Sequence, residues 1–283
     1  MFWFRGGQLH KALNFKEEQT INAYIFNVFT GKKAKGNPAA VVKLNSWLPA
    51  YELKAISRNL GQPVTSFIVD VEQGYEIRWF AGEMEINLCG HGSLAAAATI
   101  FEINPSHDPV AELLNKHGTV SVNKCANGYT MAMPSWDSEC TSELSKYSKL
   151  LDLEAIDVFA TRDLVVVLES EEQVRNFKAD FDVIKNISEY HAVILTAQKG
   201  TSGYVLRYFA PSIGINEDIA TGSAQCSLVP YWSNRLSLKK LEVNQLSAQG
   251  GYFQVNQNQS DTIELTVSVV LTQVVKLGEK QEI

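Results

Sequence analysis

Short runs rich in β-branched and aromatic residues predict strands over about 21–29, 37–44, 64–71, 75–81, 119–124 and 128–133. Helical spacing covers about 50–60 and 92–103. The second helix is apolar almost all round, through Leu94, Ala95, Ala96, Ala97, Ala98 and Ile100. A helix with no polar face belongs inside something, and a sheet wrapped around it is the natural container. After Pro134 the pattern breaks, because residues 135–148 are rich in Ser, Asp, Glu and Thr and carry little periodicity. Beyond that boundary, strands read at about 163–168, 192–197, 203–209, 251–255 and 262–270, with helices at about 171–178, 183–189 and 222–233. The last apolar run, about 262–276, can return to the first part. Residues 1–20 have no long apolar face and read as a peripheral helix or a loose tail. The expectation is therefore an N-terminal extension (1–20), a first domain (21–134 with about 262–283) and a second domain (135–261).

Composition narrows the function classes. Lys and Arg number 25 against 31 Asp and Glu, a net charge of −6. The basic residues, such as Arg78, Arg162, Arg175 and Arg207, are scattered, which argues against nucleic acid as a partner. No segment approaches the roughly 18 consecutive apolar residues that read as a membrane helix. The opening Met-Phe-Trp-Phe is also too short for a signal sequence, so no membrane association and a cytoplasmic location are expected. The four cysteines show no CxxC spacing, so neither a disulfide framework nor a metal module is indicated. Cys125 and Cys140 read as small semi-buried residues, and Cys226 as core packing within a helix.

An internal repeat adds architecture to this picture. Tyr75-Glu-Ile-Arg-Trp-Phe-Ala81 and Tyr204-Val-Leu-Arg-Tyr-Phe-Ala210, 129 residues apart, share Tyr, Arg, Phe and Ala and exchange Ile for Leu and Trp for Tyr. Gly92-Ser93 follows the first copy and Gly222-Ser223 the second, each opening a small-residue apolar helix. The reading is an α+β fold of two pseudo-symmetric barrel-like halves, each wrapping a central helix. If both helix N-termini point into one crevice, their free N–H groups and partial positive charges suit a small anionic metabolite between the domains. Gly-Ser at one helix start is explained by capping alone; its recurrence at matched positions adds the ligand reading.

Few titratable groups lie near these helix starts. His91 sits in Cys89-Gly-His-Gly-Ser93 and Asp218 in Glu217-Asp-Ile-Ala-Thr-Gly-Ser223, one from each half. A histidine and a carboxylate can together hold and move a proton. The helix N-termini are expected to lower both pKa values, giving a neutral His91 and an ionised Asp218. A lowered thiol pKa would make Cys89 a base or nucleophile. The candidate catalytic residues are thus His91, Asp218 and Cys89, with Gly90, Gly92, Ser93, Gly222 and Ser223 as substrate-binding positions.

These segments resemble the phenazine biosynthesis PhzF-like family, within the diaminopimelate epimerase-like fold. The likeness runs from Asn22-Ala-Tyr-Ile-Phe-Asn-Val-Phe-Thr30 through Gly36-Asn-Pro-Ala-Ala-Val-Val42, Arg78-Trp-Phe80, Cys89-Gly-His91 and Arg207-Tyr-Phe-Ala-Pro211. It continues through Glu217-Asp218, Thr221-Gly-Ser-Ala224 and Pro230-Tyr-Trp232. It implies a two-domain fold with the site in the cleft, homodimers, no metal or organic cofactor, and isomerisation of small carboxylate-bearing substrates by proton transfer. By motif, Gly90, His91, Asp218, Gly222 and Ser223 line the pocket. The family's acid/base glutamate falls on Val64 in Gly61-Gln-Pro-Val-Thr-Ser-Phe67. Val64 cannot hold a proton, and Gln62 is an amide. Ile219-Ala220 stands where Pro-Val or Pro-Ala is usual, and Gln225 where His is frequent. The alternative implied is a binder or interaction module of the same fold, unless a carboxylate such as Glu83 or Glu85 reaches the space at position 64.

Overall fold

The computed structural model describes residues 21–105, 108–140, 143–257 and 259–277. β1 (Ile21–Thr30) and β2 (Asn37–Leu44) lead to α1 (Ala50–Leu60), β3 (Thr65–Val71), β4 (Gly74–Ala81), β5 (Met84–Ile86) and α2 (Gly90–Ile103). Next come β6 (Val110–Asn115), β7 (Gly118–Cys125), β8 (Gly128–Pro134), β9 (Glu139–Cys140), α3 (Leu144–Leu150), β10 (Ala155–Ala160) and β11 (Leu164–Leu168). The chain continues with α4 (Glu171–Asn176), α5 (Phe181–Lys185), β12 (Val193–Lys199), β13 (Gly203–Phe209), α6 (Gln225–Leu236), β14 (Lys240–Gln245), β15 (Gly251–Asn256) and β16 (Thr262–Leu277).

Strands β1-β2-β3-β4-β6-β7-β8-β16 are neighbours in that order, and β16 pairs back onto β1 to close a barrel. The closed wall explains the all-apolar helix: α2 packs against β1, β2, β3, β6, β7, β8 and β16. Its residues from Gly92 to Phe101 are buried, and Ala95–Ala98 keep it narrow enough for the strands to approach. From β16 the sheet runs on through β15, β14, β13, β12, β11, β10 and β9, with α6 against β14, β15 and β16. One continuous apolar core joins the surroundings of both helices, while α1 covers β3 and β4 from outside.

Along β1-β2-β3-β4-β6-β7-β8 the pairings run antiparallel, parallel, antiparallel, parallel, antiparallel, antiparallel. The same succession recurs along β10-β11-β12-β13-β14-β15-β16. β16 is the shared member: Thr262–Val267 pairs with β8, Glu264–Thr266 with β15, and Ser268–Leu277 with β1.

The helix expected from residue 222 starts at Gln225 and runs to Leu236. The carbonyls of Gly222, Ser223 and Ala224 each accept from the N–H three residues on, so tight turns precede the α-helix. The helix expected at 183–189 lies at Phe181–Lys185, because the Asp180 carboxylate accepts from the N–H groups of Asp182 and Val183 and caps it there. α3 begins within the stretch read as a boundary and runs two residues past it. Cys125 is exposed rather than semi-buried, and Cys226 is buried. The extension 1–20 and the side chain of Cys140 lie outside the described residues.

Gly128 opens β8 with φ +129°, and a Cβ there would stand 2.1 Å from the Val267 carbonyl oxygen of β16. Gly128→Ala is therefore expected to destabilise the fold by about 2 kcal/mol or more, through strain and lost β8–β16 pairing. A lower denaturant midpoint at an unchanged slope checks this.

Candidate active site

The start of α2 lies within reach of the charge of Asp218, which the second run of strands supplies. Cys89, in extended conformation, is the residue before its first turn. Gly92 is enclosed: a Cβ would meet Ser66 Oγ and Trp79 Cδ1, both at 2.8 Å. Its carbonyl accepts from Ser66 Oγ at 2.9 Å. Ser93 is fully buried, and its hydroxyl donates to the Cys89 carbonyl at 2.9 Å. The expected ligand positions Gly92 and Ser93 thus have their side-chain space and hydroxyl committed inside the barrel. Gly90 and His91 remain half-buried.

His91 Nδ1 lies 3.3 Å from Cys89 Sγ. Its Nε2 is enclosed and has no hydrogen-bond partner among the described residues. Burial lowers the His91 pKa to about 4, so the imidazole is neutral at neutral pH. The expected fall in the Cys89 pKa is overturned. Burial pushes the thiol up to about 12 and the charge of Asp218 adds to this, outweighing the nearby N–H groups of Gly92 and His91. Cys89 is thus a thiol rather than a ready base or nucleophile.

Asp218 lies in the loop between β13 and α6, with its N–H bonded to the Tyr208 carbonyl at 3.0 Å. Its Oδ1 accepts from Asn37 Nδ2 at 3.1 Å and its Oδ2 from Thr221 Oγ1 at 2.5 Å. Gln245 braces the loop, accepting from the Thr221 N–H at 2.8 Å and donating to the Asp218 carbonyl at 2.9 Å. These donors favour the charged form, yet burial raises the Asp218 pKa. The expected lowering is therefore corrected: desolvation outweighs hydrogen bonding, and the helix start is several residues away. Gly222 is buried beneath the Phe29 ring, 3.2 Å from where its Cβ would stand. Half-buried Ser223 accepts from Arg162 Nη2 at 3.2 Å. Arg162 also pairs with buried Asp163, donates to Tyr208 Oη at 3.1 Å and lies over the Trp136 ring.

The first barrel and the second run of strands meet here. Asn37, at the start of β2, donates both to Asp218 and to the Ala220 carbonyl, the latter at 3.0 Å. Phe29 sits at a break in the β1 register with φ +66°, its ring 4.5 Å from that of Phe253. Such backbone strain, about 1–3 kcal/mol, persists only where packing over-determines it. Asn37, Thr221, Gln245 and Arg162 were not among the sequence candidates. Asn37 opens β2 and lies inside the Gly36-Asn-Pro segment that carries the family likeness. Thr221 lies in the Thr221-Gly-Ser-Ala224 segment of the family likeness and reaches Asp218 three residues back, whereas Gln245 and the Arg162–Ser223 contact join residues 24 to 61 apart and carry no local signal.

The two acids named as stand-ins for the glutamate are each paired with an arginine. Glu83 pairs with Arg58, and Glu85 makes a two-pronged pair with Arg78. Gln62 Nε2 donates to the Leu60 carbonyl. Val64 is 1% exposed and belongs to the core around α2. Among the described residues no three His, Cys, Asp or Glu side chains are grouped to hold a metal. No described helix is long and apolar enough to cross a membrane.

The enclosed Nε2 of His91 predicts a pH effect. The His91 pKa falls from 6.5 unfolded to about 4 folded. The associated stability is thus present above pH 6.5 and lost as the pH falls through about 4, on the order of 3 kcal/mol in total. Asp218, shifted upward, contributes with the opposite sign. His91→Gln should flatten the His91 part of the profile in denaturant titrations from pH 7 to 4.

A model of the family described as phenazine biosynthesis-like protein matches residues 26–276. The chain belongs to the phenazine biosynthesis-like family. One family relative, an uncharacterized isomerase of Vibrio cholerae, is 50% identical over 256 residues, covering 90% of this chain and 91% of that protein. Another, from Pseudomonas aeruginosa, is 36% identical over 227 residues, covering 80% and 86%. The crystal structure of a PhzF-family phenazine biosynthesis protein from Enterococcus faecalis superposes with a TM-score of 0.85 at 31% identity, covering 91% of this chain and 99% of that one. The PhzF isomerase family and its barrel-like α+β fold therefore account for nearly the whole described chain.

Proposed function

We propose that this protein is a cofactor-independent isomerase that moves a proton within a small carboxylate-bearing metabolite. The metabolite binds in a cleft between two pseudo-symmetric halves, residues 21–134 with the strand from 262, and residues 135–261. Recurrence of one pairing succession on both sides of β16 supports the two-half reading. The observation that carries the reaction is Asp218: a carboxylate at the seam, with its pKa raised by burial, whose charge is felt at Cys89 on the other side. A carboxyl group shifted upward is better matched to taking and returning a proton near neutral pH than an ordinary surface aspartate. His91, neutral and with Nε2 unengaged, serves as the polar group opposite it. Gly90, Ser223 and the Arg162 guanidinium beside Ser223 supply the surroundings for the substrate carboxylate. Homodimers belong to the same reading by family resemblance, and a cytoplasmic location goes with it.

A second reading, a small-molecule binder that has given up catalysis, is favoured by one observation. Val64, at the family's glutamate position, is packed in the core, and neither Glu83 nor Glu85 replaces a carboxylate there. Incubation in D₂O with a panel of small carboxylate metabolites separates the two. Deuterium fixed on substrate carbon, seen by mass spectrometry, supports the isomerase. Ligand-dependent stabilisation with no deuterium uptake from the same compounds supports the binder.

A further inference from the structure

We propose that Cys89 is a positioning residue: its thiol proton holds His91 as the Nε2–H tautomer, so the seam presents a neutral imidazole N–H donor. This deepens the isomerase reading and rests on it for the identity of the acceptor, an oxygen of the bound carboxylate metabolite.

The argument starts from the 3.3 Å approach of Cys89 Sγ to His91 Nδ1. One of these atoms must supply the proton between them. A thiol sulfur is a weak hydrogen-bond acceptor, whereas an imidazole nitrogen lone pair is a good one, so S–H to Nδ1 is the better of the two arrangements. The thiol has that hydrogen to give, because Cys89 is only 8% exposed and burial disfavours the thiolate. Nδ1 is then the acceptor, and in a neutral imidazole the proton must be on Nε2. That second nitrogen is enclosed and without a partner among the described residues. A buried N–H with no acceptor is costly in an empty pocket and useful in one that receives an oxyanion. A neutral imidazole donor adds no charge to the site, so Asp218, whose charge reaches Cys89, can hold the proton while His91 hydrogen-bonds the oxygen where charge develops.

Two-bond ¹⁵N–¹H correlation spectra of the histidine-labelled full chain, with His91 assigned by its loss in His91→Gln, test this directly. Wild type should show the Nε2–H pattern at neutral pH, Cys89→Ala a mixture of tautomers, and Cys89→Ser, which restores a donor, the Nε2–H pattern again. An Nδ1–H or doubly protonated His91 in wild type would overturn the assignment, as would an unchanged tautomer in Cys89→Ala. Because the signature is read on the free protein, a silent deuterium-exchange panel would count against the proposed reaction and leave the tautomer result standing.

Discussion

Asp218→Asn is expected to lower deuterium incorporation into the substrate by about 10²–10⁴-fold, the range typical for removing a general acid or base. The replacement is nearly isosteric. The amide oxygen can still accept from Asn37 Nδ2, and the amide nitrogen would face Thr221 Oγ1, which can rotate to accept in place of donating. What disappears is the ability to hold a proton. Burial already penalises the charged form, so removing the charge should leave stability unchanged or slightly higher. A large fall in exchange with an unchanged melting temperature is therefore the signature of Asp218 as proton carrier. Exchange that survives in a folded Asp218→Asn protein would place that role on another group.

Val64→Glu should produce the largest stability effect. The side chain at this position is enclosed with Val41, Ile68 and the α2 alanines in one core. A carboxyl group forced into that space would have its pKa raised by burial, as much as 3–5 units when fully enclosed. Its neutral form is tolerated below the unfolded value of about 4.3. As the pH rises from there towards the folded value, stability is lost, on the order of 4 kcal/mol for a shift of about three units. Denaturant midpoints at pH 4 and pH 8 should therefore diverge in the variant far more than in wild type. Equal midpoints would mean that the new carboxylate has turned into the seam and found donors there. In that case it should be tested for added exchange activity.

The elements that sequence patterning located best are those whose pattern is set by their own packing. β2 and α1 occur at the expected residues, and the all-apolar stretch around Ala95–Ala98 correctly required a container. β6 and β14 were not legible because Glu112, Glu242 and Asn244 interrupt their short apolar alternation; only pairing with neighbouring strands shows Leu113, Leu241 and Val243 to be inward. Cys89, His91 and Asp218 were chosen as candidates from their positions at matched segments, but the shifts of Cys89 and Asp218 were read with the wrong sign. A helix N-terminus is visible in sequence, whereas burial depends on which distant strands close over the group. Asn37 illustrates the same limit, since its two acceptors lie 181 and 183 residues away.

The shared strand β16 ties assembly to synthesis. Ile21 pairs with Leu277, and Thr30 with Ser268, so the wall around α2 lacks its closing stave until the whole intervening chain has been made. On the ribosome, β1 and β8 would wait with unpaired edges, and Phe26, Val28 and Phe29 would lack their final cover. Such late, long-range closure makes folding slow and leaves a window in which exposed edges can join another chain. A truncation that removes Ser268–Leu277 should consequently yield an aggregation-prone nascent state rather than a smaller stable barrel.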